Sequence, residues 1–577
     1  MSVPILSGPA VAIESHFHKR EKTFMKLIKS SLLISLLSLL TLVSYQAKAQ
    51  DAIAGVNGLI LTATGLMCPE LRSEFAEKVV LKSHDGLDIN AILLTPKTTA
   101  PANGHPLVIF NNPWSFTSEI YCISSLPQKL LKSGIAVVLL DNRGMVGSEG
   151  VADFGGAKDM ADLKMIIPQL VGAYNLDADN IGLTGLSYGG AISTLALAND
   201  VPVKTVVPVS GWVDILDGGL YEDKVTDLKG AEFLYNLGMM NKVKLGDTVW
   251  MMDELMEGNA VPELFDFSNQ RSPLKLTDKI NESNKSIFIV HTYNDAIFEP
   301  NRTMDFFKGL TINKKISFFP GQHGSTTALD GLFPSGLGDD IRDWFVYWLK
   351  GEGVDPGVGT VNFAIRNQSE RAPLAFGERA QMRFSEWSND NLKKETFYLS
   401  SQDKMKLTKE LPSTSDHIAL EAASDTDDFT NGTMDITHIA EVILTEAYYN
   451  VNSIKAPYGA VFKGPTLSPR KILGKSNLEL YLSSDLEQVQ FSAYVFAESI
   501  FGNSNFVSRT SYVVRDFVDG VAKVNVDFDL TAFNWTTERL VLVVYGNDPD
   551  FAPMPENRFK ILSGKEFPSK LDLRYQN

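Results

Sequence analysis

The stretch Asn180–Asn199, NIGLTGLSYGGAISTLALAN, limits what the chain can fold into more than any other. Ile181 to Leu183 reads as a buried strand, and Ala191 to Ala198 as a packed helix. Between them stands Gly185-Leu186-Ser187-Tyr188-Gly189-Gly190. A serine between two glycines, after a strand and before a helix, is the nucleophile-elbow arrangement. The turn is too tight for side chains on its flanks, which accounts for Gly185 and Gly189. It lifts the Ser187 hydroxyl off the sheet edge and aims the first free N–H groups of the helix at whatever Ser187 attacks. G-x-S-x-G fixes only three letters, and a glycine turn with a passenger serine satisfies it too. The rest of the chain has to supply partners.

The chain has 577 residues, 44% of them hydrophobic, which is too many for one ordinary core. Its net charge of −16 argues against nucleic acid as a partner, since phosphate binding needs clustered Lys and Arg. The acidity is read as solubility. The two cysteines, Cys68 and Cys122, exclude a cysteine-built metal site, and the eight histidines form no H-E-x-x-H pattern. No metal or cofactor is expected. A Cys68–Cys122 bridge and two buried thiols are both open readings.

The N-terminus carries its own signal. Met25-Lys26-Leu27-Ile28-Lys29 gives a basic start, Leu32 to Val43 a short apolar run, and Ala47-Lys48-Ala49 a small-x-small site before Gln50. This pattern predicts a secretory signal peptide starting near Met25 and cleaved after Ala49. The apolar run is too short to be read first as a membrane span. The expected mature protein is periplasmic or secreted, with no membrane attachment after cleavage. Whether it forms a homo-oligomer is left open.

From Glu77 onward strands and helices alternate. Glu77–Leu81 and Leu87–Leu94 read as a hairpin, and Leu107–Phe110 and Ile135–Leu140 as strands with a helix near Leu126–Lys132 between them. Asp159–Ile167 is helical and should end or kink at Pro168. Lys204–Val209, Ser286–His291 and Lys315–Phe319 are further strands, and Asp339–Lys350 is an amphipathic helix. This alternation implies a parallel, doubly wound α/β sheet with its chemistry at the carboxyl ends of the strands. The rhythm breaks at about 212–284, where Met-rich helical pieces predict a helical cap inserted over those ends. After Gly351 a Gly- and Pro-rich linker, 353–374, leads into a strand-dominated region, 375–577, expected to be a β-sandwich. The expected domains are thus 1–49, 50–352, the linker and 375–577.

A serine hydroxyl needs a base to take its proton and, usually, a carboxylate to orient that base. After a nucleophile elbow the chain order is serine, acid, histidine. His323, in the Gly321-Gln322-His323-Gly324 loop, is the expected base, and Asp295, in the loop after the Ile289-Val290 strand, the acid. His291 precedes the acid and breaks the order. Asp330 is the second choice of acid, and Asp141 is read as structural, pairing Arg143 or capping its turn. The backbone N–H of Tyr188 should donate to the developing oxyanion. Trp114 either donates its indole N–H there or lines an apolar substrate pocket with Phe116, Trp212 and Phe298.

Four stretches then carry a resemblance. They are Asn112-Pro113-Trp114; Asp141-x-Arg143-Gly144-x-x-Gly147-Ser148-x-Gly150; the Ser187 elbow; and Asp295 with Gly321-x-His323. With the strand-rich tail, and less specifically Asp550-Phe551-Ala552-Pro553 with Asn557, the chain resembles the cocaine esterase / X-Pro dipeptidyl-peptidase family of serine hydrolases. The resemblance implies an α/β-hydrolase fold with a helical cap, a jelly-roll tail, and Ser187, Asp295 and His323 as nucleophile, acid and base. One departure stands out: the family often has an oxyanion-hole tyrosine just after the proline of the first motif, where this chain has Trp114. The expected substrate is a small ester or peptide. X-Pro dipeptidyl-peptidase-like and carboxylesterase activity share this machinery, and a free substrate amine would call on acidic groups such as Glu119, Asp214, Glu222 or Asp223. A non-catalytic binding protein on a hydrolase scaffold is the reading from another class.

Overall fold

The computed structural model describes residues 75–577 with gaps, the longest at 324–335, 368–380 and 422–447. The signal-peptide segment, Cys68, Asp330 and Asp550–Pro553 lie outside the described residues.

The first sheet is built from ten strands: β1 (Ala76–Lys82), β2 (Asp88–Leu94), β3 (His105–Asn111), β4 (Ala136–Leu140), β5 (Leu176–Leu186), β6 (Thr205–Val209), β7 (Ser286–Thr292), β8 (Asn313–Phe319), β9 (Val361–Ala364) and β10 (Gln381–Phe384). Their order is β1-β2-β4-β3-β5-β6-β7-β8-β9-β10. The pairs from β4 through β9 are parallel, while β1–β2, β2–β4 and β9–β10 are antiparallel. The central strands β3, β4, β6 and β7 are buried at every position. That explains why they read as continuous apolar runs instead of alternating ones. The sheet continues past the compositional shift at residue 352: β9 falls in the expected linker and β10 in the expected second domain. Backbone pairing, which composition does not report, sets that limit.

Helices cover the sheet: α1 (Leu126–Lys132), α2 (Ala157–Ala173), α3 (Tyr188–Ala198), α8 (Pro300–Gly309) and α9 (Leu337–Phe345). Helix α2 does not stop at Pro168 but runs on to Ala173. Its buried face, Leu163, Ile166, Ile167 and Leu170, spans the proline, so packing outweighs the one backbone hydrogen bond lost there. Between β6 and β7 lie α4 (Leu228–Met240), α5 (Val249–Glu257), α6 (Pro262–Asn269) and α7 (Thr277–Glu282), an insertion where the sequence breaks rhythm.

A second, largely antiparallel sheet of 15 described strands runs from Arg366–Asn367 to Lys570–Gln576. Asn477–Ser483 and Val521–Asp527 alternate buried and less buried residues, the mark of half-covered strands. Phe397, Phe462, Trp535 and Leu542 belong to its core. It touches the first region through Asn301 of α8, whose amide donates to the Phe528 carbonyl (3.1 Å) and accepts the Leu530 N–H (2.8 Å). Helix α8 follows the Asp295 loop, so these bonds tie the second sheet to the helix that the loop leads into. Asn557 is buried and bonds the Gln490 and Gly546 carbonyls at 3.0 and 2.8 Å, a structural role. Among the described residues no helix is long and apolar enough to cross a membrane.

Candidate active site

Ser187 sits between β5 and α3 at φ 56° and ψ −115°, outside the backbone regions a non-glycine residue prefers. The neighbours impose this conformation. A Cβ on Gly189 would lie 2.0 Å from the Asn111 carbonyl oxygen, so only glycine lets the elbow close against the end of β3. The Ser187 N–H donates to the Val209 carbonyl at 2.8 Å. Tyr121, which the sequence reading passed over, bridges the two strand ends: its hydroxyl donates to the Asn111 carbonyl (2.6 Å) and accepts the Leu186 N–H (2.7 Å). Burial holds the Tyr121 phenol well above its ordinary range, so it stays neutral. Only a buried aromatic within reach of β3 could have signalled this role in the sequence.

The structure brings Ser187, His323 and Asp295 together. His323 Nε2 lies 2.8 Å from Ser187 Oγ, and His323 Nδ1 lies 3.0 and 2.9 Å from the two Asp295 oxygens. Asp295 is buried, and its Oδ1 also accepts the backbone N–H groups of Ile297 (3.0 Å) and Phe298 (2.9 Å). Burial pushes its acidity toward the neutral form. The imidazoles of His323 and His291 and the Phe298 N–H outweigh that and hold the carboxyl below its ordinary value. The Asp295 carboxylate therefore fixes the His323 tautomer: Nδ1 carries the proton and Nε2 is free to accept from Ser187. His291 packs on the far side of the acid, its Nε2 3.8 Å from Asp295 Oδ2 and donating to the Phe298 carbonyl at 2.9 Å. Burial lowers its pKa. It does not touch Ser187's base position, in line with the order argument.

Three expectations are corrected. The Trp114 indole N–H donates to the Leu234 carbonyl of α4 at 2.8 Å, so it is tied to the cap and is not available to an oxyanion. The ring also lies flat against Gly238, where a Cβ would sit 2.9 Å from it. Phe116 does not line the substrate cavity; its carbonyl accepts the Asn112 amide at 2.7 Å within the loop. Asn112 Oδ1 in turn accepts the N–H and side-chain amide of Asn142, both at 2.8 Å, stapling the β3 loop to the β4 loop. Asp141 does not pair Arg143. Its Oδ1 accepts the Ser118 N–H at 2.6 Å, capping a short 3₁₀ turn, and burial raises its pKa to about 6. Arg143 instead pairs Asp85 at 2.8 Å and Asp162 at 3.4 Å. His84, Asp85 and Asp162 are the described cluster with metal-ligand spacing, and this guanidinium already supplies the cation there.

The backbone N–H of Tyr188 is the first of α3, where no earlier carbonyl of the helix can take it. The Tyr188 hydroxyl points away from the reaction centre. It accepts the Phe154 N–H at 3.0 Å and donates to Asp159 at 3.3 Å. Burial, with Asp153 nearby, raises the Asp159 pKa to about 8.

Trp114, Trp212 and Phe298 do line a cavity with Ser187, closed on the cap side by Met251, Met252 and Leu255. Its volume is about 40 Å³ and its accessible wall is apolar. Phe298 meets the His323 ring edge-on at 5.2 Å and Trp212 at 5.8 Å. Of the acidic groups considered for a substrate amine, Asp214 is buried beside Lys275 (3.4 Å) and Ser272 (3.3 Å), and the side chains of Glu222 and Asp223 lie outside the description. Glu119 lies in the 3₁₀ turn that Asp141 caps. Cys122 is disulfide-bonded.

Acylamino-acid-releasing enzymes are similar in sequence: that of Homo sapiens is 30% identical over 113 residues, which is 19% of this chain and 15% of the relative. That of Mus musculus is 27% identical over 152 residues, 24% of this chain and 21% of the relative. The chain thus spans less than a quarter of the length of these curated relatives. A CocE/NonD family hydrolase from Staphylococcus aureus shares the fold with a TM-score of 0.65 at 14% identity, over 87% of this chain and 94% of that one. An alpha-amino acid ester hydrolase does so with a TM-score of 0.66 at 14% identity, over 87% and 96%. The larger architecture is therefore that of α/β-hydrolases with a strand-rich C-terminal region. Residues 85–325, which contain Ser187, Asp295 and His323, match the X-Pro dipeptidyl-peptidase (S15) family, and the chain's likeness to that family of serine hydrolases stands on this segment.

Proposed function

We propose that the protein hydrolyses an ester or amide bond through an acyl-enzyme on Ser187. The observation that carries this is the 2.8 Å contact of His323 Nε2 with the hydroxyl of a serine held at positive φ. His323 takes the Ser187 proton as the oxygen attacks the substrate carbonyl. The imidazolium that forms is stabilised by the Asp295 carboxylate and then gives its proton to the leaving group. Water, deprotonated by His323, releases the acid in the second half. Because the Trp114 indole is engaged elsewhere, the oxyanion is held by backbone donors, with the Tyr188 N–H as one and the loop after β3 supplying the other. These steps use only protein groups and water.

The family match favours an X-Pro dipeptidyl-peptidase-like reaction, whereas the apolar cavity wall favours a carboxylesterase-type one. The strand-rich region, bonded to Asn301 of α8, fits a jelly-roll domain. The A-x-A site after the apolar run, together with a disulfide at Cys122, fits a periplasmic or secreted protein cleaved after Ala49. Labelling with a fluorophosphonate tests the central reading. Wild-type protein should carry one adduct on Ser187 and Ser187→Ala none; a folded wild-type protein that stays unlabelled refutes it. N-terminal sequencing of the exported protein should begin at Gln50, and a start elsewhere overturns the proposed cleavage.

A further inference from the structure

The loop between β7 and α8 carries the acid, and Phe298 is its joint to the base. The Phe298 N–H donates to Asp295 Oδ1 at 2.9 Å, and the Phe298 ring stands edge-on to the His323 ring at 5.2 Å. The carbonyl of the same residue accepts from His291 Nε2 at 2.9 Å. A carbonyl can only accept, so the His291 ring proton is on Nε2. His291 belongs to β7 and precedes the acid by one i,i+4 step. An unbroken line of hydrogen bonds thus runs from β7 to the nucleophile: His291 to Phe298, Phe298 to Asp295, Asp295 to His323, and His323 to Ser187.

An imidazole is a costly choice at this position. His291 is 0% exposed, and its Nδ1 has no hydrogen-bond partner among the described residues. A buried polar atom left in that state costs about 1–3 kcal/mol. Phe318 of β8 meets the ring edge-on at 6.2 Å, a contact that leucine would also fill with no polar atom to bury. What leucine lacks is the donor at Nε2. The titratable groups that act on His291 are Asp295 and His323. Its Nε2 lies 3.8 Å from Asp295 Oδ2, too far for a hydrogen bond, so it holds the acid through the Phe298 peptide.

Resting on the acyl-enzyme reading of Ser187, we propose that His291 is a positioning residue of the hydrolysis: by fixing the Phe298 carbonyl it sets Asp295 and His323 in line with Ser187. Without that bond the Phe298 peptide is free to turn. Asp295 then loses one of its fixed N–H donors, and the His323 ring loses its packing partner and its orienting carboxylate together. His291 itself exchanges no proton with the substrate.

The test compares the full-length mature protein with its variants on one p-nitrophenyl ester, with active sites counted by fluorophosphonate labelling. His291→Gln places an amide N–H where Nε2 stood. His291→Asn places one where Nδ1 stood, out of reach of the Phe298 carbonyl, and His291→Leu fills the space without a donor. The Asn and Leu variants should lose roughly 10–100-fold in kcat with little change in KM, since the base is displaced and the substrate pocket is not. Gln should recover roughly tenfold or more of that loss. The acid limb of the kcat/KM profile reports the free base. It should move to lower pH by about half a unit in Asn and Leu, because a displaced carboxylate stabilises the imidazolium less, and return in Gln. If the Leu variant does not fold, the contrast between Asn and Gln decides. Wild-type kcat in the Asn or Leu variant, an equal loss in Asn and Gln, or a loss with the acid limb unmoved overturns the assignment while the hydrolase reading survives. If wild-type Ser187 does not label, the reading on which the inference rests has failed first.

Discussion

Replacing Asp295 with asparagine should disable the site through a tautomer rather than through loss of structure. Oδ1 of Asp295 accepts two backbone N–H groups, from Ile297 at 3.0 Å and Phe298 at 2.9 Å. An asparagine in the same rotamer must keep its carbonyl oxygen there, because an NH₂ would face two donors. Its NH₂ then takes the place of Oδ2, which lies 2.9 Å from His323 Nδ1. Nδ1 then meets that NH₂ at 2.9 Å beside the carbonyl oxygen at 3.0 Å; in the tautomer that accepts from the NH₂ the ring proton moves to Nε2, which presents a donor to Ser187 Oγ at 2.8 Å. The base is then blocked in its resting form, and the stabilising carboxylate is gone from the transition state. In another Ser-His-Asp enzyme this exchange lowers turnover about 10⁴-fold. A loss of roughly 10³–10⁴ in kcat is expected here, equivalent to about 4–5.5 kcal/mol of barrier. KM should change little, since Asp295 does not line the cavity. The assay is ester hydrolysis near neutral pH, with thermal melting as the control for folding. A loss of less than about tenfold in a folded variant would refute the tautomer argument and point to another orienting group.

Other perturbations separate the remaining roles. Trp114→Phe keeps the ring against Gly238 but removes the bond to Leu234, so kcat should stay within a few-fold while stability drops by about 1 kcal/mol; a loss of activity of about 100-fold or more would return the indole to the oxyanion hole. Tyr121→Phe strands the Leu186 N–H and the Asn111 carbonyl and should cost about 1–3 kcal/mol in chemical denaturation, with a lower labelling rate at Ser187; unchanged stability would mean that the bridge is dispensable. Asp159, with a pKa near 8 in the fold, favours the folded state most below its unfolded value of 3.8, and that contribution fades as pH rises through 8. The melting temperature of Asp159→Asn relative to wild type should therefore climb between about pH 4 and pH 8; a flat difference would show that Asp159 ionises normally.

Much of the site was legible because its signals are short-range. Ser187 announces itself through glycines two residues away, which a strand-to-helix turn demands whatever the surroundings. Asp295 and His323 follow from chain order, since loops after successive parallel strands end at the same edge of a sheet. The apolar runs of β3, β4 and β7 were readable because strands covered on both faces need no alternation. The cap was visible as a break in rhythm.

What local pattern could not reach depends on pairings between distant residues. Trp114 bonds a carbonyl 120 positions away, so its indole could not be assigned from the motif around it. Arg143 finds Asp85 and Asp162, 58 and 19 positions away, while its near neighbour Asp141 is taken by the Ser118 N–H. β9 and β10 join the first sheet through hydrogen bonds that leave no trace in composition. The amino-acid sequence by itself determined the reacting groups and the strand ends that bear them, for these are set by backbone geometry over a few residues. The tertiary structure alone decided the size of the apolar cavity beside Ser187, the occupation of the Trp114 N–H and the bonds of Asn301 to the second sheet, because each is a contact between side chains or strands that only the packed chain brings within a few ångströms.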